Sequence, residues 1–120
     1  MSMALKADVV KACKSAGTEK PVDLVYLSSV TMGDRDLELE VLGMFLAQIP
    51  NYIQLINSAK TKQEIYLAAH TVKGAASNVG ALRLAELARN AENSGKFDLN
   101  SILAELDLIT KYVSLLSSKA

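Results

Sequence analysis

Ile65-Tyr66-Leu67-Ala68-Ala69-His70-Thr71-Val72-Lys73-Gly74-Ala75-Ala76-Ser77-Asn78-Val79-Gly80 holds the only histidine of the chain and the pattern that decides its fold. Ile65, Ala69, Val72, Ala76 and Val79 recur at intervals of three and four, the signature of one buried helix face. A helix is therefore expected from about Thr61 to Val79. Gly80 ends it, because glycine adopts the left-handed conformation at little cost. With Val72 as the centre of the buried face and about 100° per residue, Ile65 and Val79 lie within about 20° of that centre. His70 lies about 160° away, Ser77 about 140°, Tyr66 about 120°, Lys73 about 100° and Gly74 about 200°. One outward strip thus carries Tyr66, His70, Lys73, Gly74 and Ser77.

The same periodicity extends in both directions. Downstream, about Ala81 to Ser94 reads as a shorter helix with Leu84, Ala88 and Ala91 inward and Gly95 as its stop. About Leu99 to Ser117 reads as the last, with Leu99, Ile102, Leu106, Ile109, Val113 and Leu116 as its stripe. Upstream, Asp34 can cap a long helix reaching Asn57, with Asp36, Glu38 and Glu40 near its positive end. Its stripe is Val41, Leu42, Phe45, Leu46, Ile49, Tyr52, Ile53 and Ile56. Pro50 removes one hydrogen bond from that helix, so a bend is expected. The stripe keeps its phase past the proline, so the helix is expected to continue. Asp23 can cap a brief helix carrying Leu24, Leu27 and Val30, and about Ser2 to Ala16 reads as a first helix.

The expected fold is all-α. Four amphipathic helices with short connections give an antiparallel up-and-down four-helix bundle, with one or two extra N-terminal helices. Residues 1–20 are assigned to an N-terminal helix and linker, and residues 21–120 to the bundle. Small residues crowd the Ala68 to Ala91 region, which lets those helices approach closely.

Composition excludes several function classes. Half of the 120 residues are apolar, enough for a core, and 13 Lys plus Arg balance 13 Asp plus Glu. Zero net charge argues against a nucleic-acid binder, which would carry a basic excess. Aromatics make up 5% and Trp is absent, too few for a base-stacking platform. No stretch approaches the roughly 18 apolar residues of a membrane span. The first eight residues lack a charged region followed by an apolar run, so no signal peptide is expected. Cys13 stands alone, which rules out an intrachain disulfide and suits a reducing, cytoplasmic compartment. One Cys and one His cannot build a Cys/His zinc site.

The outward strip carries the chemistry. A neutral imidazole nitrogen is a competent nucleophile near neutral pH. Lys73, one turn on, places a cation beside anything bound to the ring. Gly74, facing out in mid-helix, costs about 1 kcal/mol relative to alanine and does nothing for the core, so its use is to leave room for another macromolecule. A surface histidine, a solubilising lysine and a tolerated glycine would each be ordinary alone. Grouped around the only histidine, they suit phosphoryl transfer, in which positioning and charge stabilisation dominate. The strip has no carboxylate cluster for Mg²⁺, so a metal and a second catalytic centre would come from a partner.

The run from Ala69 to Ala81 resembles the signature of histidine-containing phosphotransfer (HPt) domains: His70, Lys73 three residues on, Gly74 directly after, and Gly80 ending the helix. Gly33-Asp34, the Phe45 to Pro50 stretch and the descending helix with Leu84 and Leu87 also resemble that family, and the likeness extends over about Val22 to Ser117. The resemblance implies a cytoplasmic, monomeric phosphorelay intermediate without an ATP site of its own. His70 would accept a phosphoryl group from a receiver-domain aspartate and pass it to another receiver. Lys73 would help hold the phosphoryl group, Gly74 would clear space for the receiver, and Gly80 would be structural. No cofactor would be bound by this chain, the Mg²⁺ belonging to the receiver. Partners would be receiver domains of response regulators or of a hybrid sensor histidine kinase. Members of the family orient the imidazole with a polar side chain from a neighbouring helix, for which Gln48, Asn90 and Glu92 are candidates.

Three other readings compete. A general base for small molecules needs a pocket and an orienting carboxylate, which a convex helix face seldom provides. A kinase dimerisation domain needs an ATP-binding domain with glycine-rich motifs, which 120 residues do not contain. A bundle adaptor would bind receivers without turnover.

Overall fold

A computed structural model describes residues 20–119. The helix expected at about Ser2 to Ala16 lies outside the described residues. Among the described residues there is no strand, and five α-helices follow one another: α1 Leu24–Thr31, α2 Arg35–Ser58, α3 Lys62–Asn78, α4 Leu82–Ser94 and α5 Leu99–Lys119.

Each start has a local cause. The Asp23 and Asp34 carboxylates accept the Tyr26 and Leu37 amides, both at 3.1 Å, which satisfies donors that a helix leaves open at its N-terminus. Thr61 and Glu64 form a reciprocal capping box: the Thr61 hydroxyl accepts the Glu64 amide (3.1 Å), and Glu64 accepts the Thr61 amide (3.2 Å). The Lys60 amide also donates to Glu64 (2.7 Å), and this bond first, then the one from Thr61, holds the Glu64 carboxyl below its ordinary value. α4 starts at Ala81 without a side-chain cap.

α2 runs through Pro50 without a break. Leu42 and Phe45 before the proline and Ile56 after it are all buried, so the apolar stripe keeps the helix on the core across the lost hydrogen bond. This helix corrects one expectation, since by length and composition it could cross a membrane. Its apolar residues are spread over 24 positions rather than packed in one run, which is why no single apolar stretch marks it. Here that stripe packs on α3 and α5.

α2 touches α3 and α5, α4 touches α3 and α5, and α1 lies on α2. One core joins them, with Leu27, Leu42, Val72, Leu84, Ile102 and Ile109 almost fully enclosed. Not every apolar residue named on these helices faces the core, and Leu99 departs from its expected stripe. Val30 is exposed, and Thr31 turns inward. The Thr31 hydroxyl, with its single hydrogen, lies within hydrogen-bonding distance of the Leu27 carbonyl (3.0 Å) and the buried Glu38 carboxylate (3.2 Å), a polar link between α1 and α2. Leu99 is also exposed, because it opens α5 at the end of the helix.

The α3–α4 contact is the most extensive. Ala68, Ala69, Ala76, Ala88 and Ala91 are at most 1% exposed, and their small side chains bring the two backbones together. The connection between these helices turns at Gly80, whose φ is +80°. The Gly80 carbonyl accepts the Asp23 amide at 2.8 Å, and a β-carbon on Gly80 would stand 2.9 Å from the Asp23 carbonyl oxygen and 3.2 Å from the Tyr26 ring. This turn fixes the entrance of α1 against the α3–α4 pair.

Candidate functional site

Val72, Ala69 and Ala76 face the core, which turns His70 to the other side of α3. Its side chain is 61% exposed. The outward placement read from the helical period therefore describes the molecule. The ring does not hang free, however. His70 Nδ1 lies 2.8 Å from Glu92 Oε2, and Lys73 Nζ donates to Glu92 Oε1, also at 2.8 Å.

Glu92 sits in α4, on the turn after the buried Ala88 and beside the buried Ala91. The alanine seam brings its carboxylate across to α3, where its side chain is only 7% exposed. The Lys73 hydrogen bond first, and the His70 bond second, hold the Glu92 carboxyl below its ordinary value. An ionised carboxylate can only accept, so Nδ1 carries the ring hydrogen and donates it. In the neutral ring Nε2 then carries the lone pair. The Glu92 contact thus leaves Nε2 as the ring nitrogen able to act as a nucleophile.

Of the three candidates for orienting the ring, Glu92 makes the contact. Gln48 accepts a hydrogen bond from Asn51 (2.9 Å) instead, and Asn90 is exposed. The distinction was available in the α4 stripe. Ala88 and Ala91 point inward, and Glu92 lies about 40° from Ala88, flanking the contact face, whereas Asn90 lies about 160° from Ala88. Lys73 is joined to the site through Glu92, a role that spacing on α3 alone did not reveal. Gly74 is exposed, and a β-carbon built on it meets nothing within 4 Å. Tyr66, one turn before His70, lays its ring near-parallel to the imidazole, with centroids 5.9 Å apart and planes at 13°.

A groove of about 290 Å³ between α2 and α3 is bounded by Leu55, Leu67, Ala68 and Thr71 and leaves His70 outside. Among the described residues no group of three or more His, Cys, Asp or Glu side chains is placed to hold a metal ion. The site offers a nucleophilic nitrogen with a fixed tautomer, one ammonium, and a face open to a large partner.

The comparison with protein families returns one described as Hpt domain, matching residues 40–118. Neither the curated proteins nor the solved structures gave a match.

Proposed function

Because the chain belongs to the Hpt domain family, we propose that it is a phosphorelay intermediate in which His70 Nε2 carries the phosphoryl group. Hpt domains are phosphocarrier modules of two-component signalling, and they work with receiver domains. The observation that carries the assignment to His70 is the Glu92 contact, which occupies Nδ1 and leaves Nε2 as the free nitrogen of an exposed ring.

In the proposed step the Nε2 lone pair attacks the phosphorus of an acyl phosphate on a receiver aspartate. The Nε2–P bond forms, the P–O bond to aspartate breaks, and its electron pair returns to the aspartate carboxylate. The ring keeps its hydrogen on Nδ1 and becomes cationic, and the Glu92 carboxylate offsets that charge. The reverse step, on a second receiver, restores the neutral ring. Lys73 spends one of its three N–H donors on Glu92, and another can meet a phosphoryl oxygen. Gly74 admits the receiver. The receiver supplies the Mg²⁺ and the acidic pocket, so this chain acts as a monomeric carrier without an ATP site or a cofactor of its own. The contacts of α2 to α5 and their short connections support an up-and-down antiparallel four-helix arrangement. The lone Cys13 supports a cytoplasmic setting.

The test is transfer from a panel of phosphorylated receivers. We expect an acid-labile, base-stable label on the wild type and none on a folded His70→Gln variant. Label on His70→Gln would overturn the assignment, and receiver binding without label on the wild type would favour the adaptor.

A further inference from the structure

We infer that Tyr66 is a positioning residue for His70, setting the plane of the imidazole while Glu92 sets its tautomer. The inference rests on the reading of His70 as the phosphoryl acceptor. Tyr66 precedes His70 by four residues on α3, so the two side chains stack along one helix face. Their near-parallel planes and 5.9 Å separation fall within the range of an offset aromatic pair. The imidazole is 61% exposed, so core packing does not immobilise it. The Glu92 contact holds one atom, Nδ1. A ring held at one atom can still pivot about that hydrogen bond and swing Nε2 away from the line of attack. A flat neighbour alongside the imidazole restricts that pivot.

The two restraints come from different helices and act on different coordinates. Glu92 reaches over from α4 and acts through the ring edge. Tyr66 rises from the preceding turn of α3 and acts on the ring plane. The Tyr66 hydroxyl makes no hydrogen bond among the described residues, and Tyr66 is 49% exposed. Its contribution to the site is therefore the ring, which phenylalanine would preserve. Holding a nucleophile in its attacking geometry lowers the barrier by removing freedom before the step.

Tyr66 faces the side on which a receiver would dock, so a slower transfer from a receiver would not separate positioning from partner contact. A small donor does. With phosphoramidate the donor P–N bond breaks, the Nε2–P bond forms, and ammonia leaves with the electron pair. No protein surface takes part. We expect Tyr66→Ala to be labelled about three- to tenfold more slowly than wild type, the range that one aromatic pair corresponds to in rate. Tyr66→Phe should stay within about twofold of wild type. The same order should hold with a phosphorylated receiver, while the melting temperatures of both variants stay close to wild type. Nuclear magnetic resonance reads the ring directly. The His70 carbon-bound protons should lose their Tyr66 ring-current shift in Tyr66→Ala and keep it in Tyr66→Phe.

Wild-type phosphoramidate labelling of Tyr66→Ala would overturn the inference. If only receiver transfer slowed, Tyr66 would be a partner contact and not a positioning residue. Failure of the underlying reading would look different, because His70→Gln would then still take up label.

Discussion

Gly74 and Gly80 stand six residues apart in one signature and do opposite things. Gly74 faces solvent in the middle of α3, and the β-carbon it lacks would touch nothing. Gly80 turns the chain at φ +80°, and its missing β-carbon would press on the Asp23 carbonyl and the Tyr26 ring. The first glycine leaves a space outside the molecule. The second is required by a space already filled inside it. A motif written as letters cannot separate these roles, whereas adding one methyl group at each position can.

The largest effect is expected at Gly80. Gly80→Ala imposes a left-handed conformation on an L side chain, at roughly 1–2 kcal/mol, and adds a sub-van der Waals contact. A stability loss of about 2 kcal/mol or more is expected in urea unfolding, with α1 the first element to lose protection. An unchanged midpoint would mean that the turn relaxes freely, and the contrast between the two glycines would fail. At Gly74 the sign reverses. Gly74→Ala should gain up to about 1 kcal/mol by helix propensity and transfer phosphate at nearly the wild-type rate. Gly74→Gln should stay folded yet transfer about tenfold more slowly, a barrier change of about 1.4 kcal/mol, because the partner meets the added atoms first. Transfer by Gly74→Gln at the wild-type rate would show that no partner approaches over this face.

The smallest effect concerns pH and sharpens the comparison from the side of Glu92. Its carboxyl is held below the ordinary value of 4.5 by Lys73 and then by His70. A carboxyl whose value is lowered on folding adds stability above its unfolded value, and that stability is lost as pH falls through the folded value. Wild type should therefore lose more melting temperature than Glu92→Gln between neutral pH and pH values below 4.5. Parallel curves would mean that the Lys73–Glu92–His70 contacts do not contribute to folding. Because α3 and α4 meet through alanines beneath this network, the difference should be modest.

Much of this could be read from the chain before any coordinates. The interval of three and four residues placed every described helix, because burial on one face is the physical demand that writes that interval. The caps at Asp23 and Asp34 follow from short polar side chains at helix starts. The outward direction of His70 followed from the phase of Val72. What periodicity could not supply was contact between helices. Phase on α4 separates Glu92 from Asn90 but gives Glu92 no priority over Gln48 on α2, since that choice depends on how closely the alanine seam lets α4 approach α3. Periodicity named only the apolar residues of α1, whereas the fold also turns Thr31 in to meet Glu38. It also missed the tie between Lys73 and Glu92, because spacing along one helix carries no information about the next.

The bond from the Asp23 amide to the Gly80 carbonyl has a practical bearing on where the protein can be cut. The stretch matching the family begins at residue 40, yet Val22 and Leu27 are fully enclosed in the core. A fragment trimmed to the matched stretch would discard both of them, strip α1 from the α3–α4 turn, and leave the Gly80 carbonyl without its donor. It would keep the histidine, the lysine and the glutamate in sequence while uncovering apolar core surface that Val22 and Leu27 close in the intact chain. The recognisable motif and the smallest piece that can stand alone are therefore different lengths of chain.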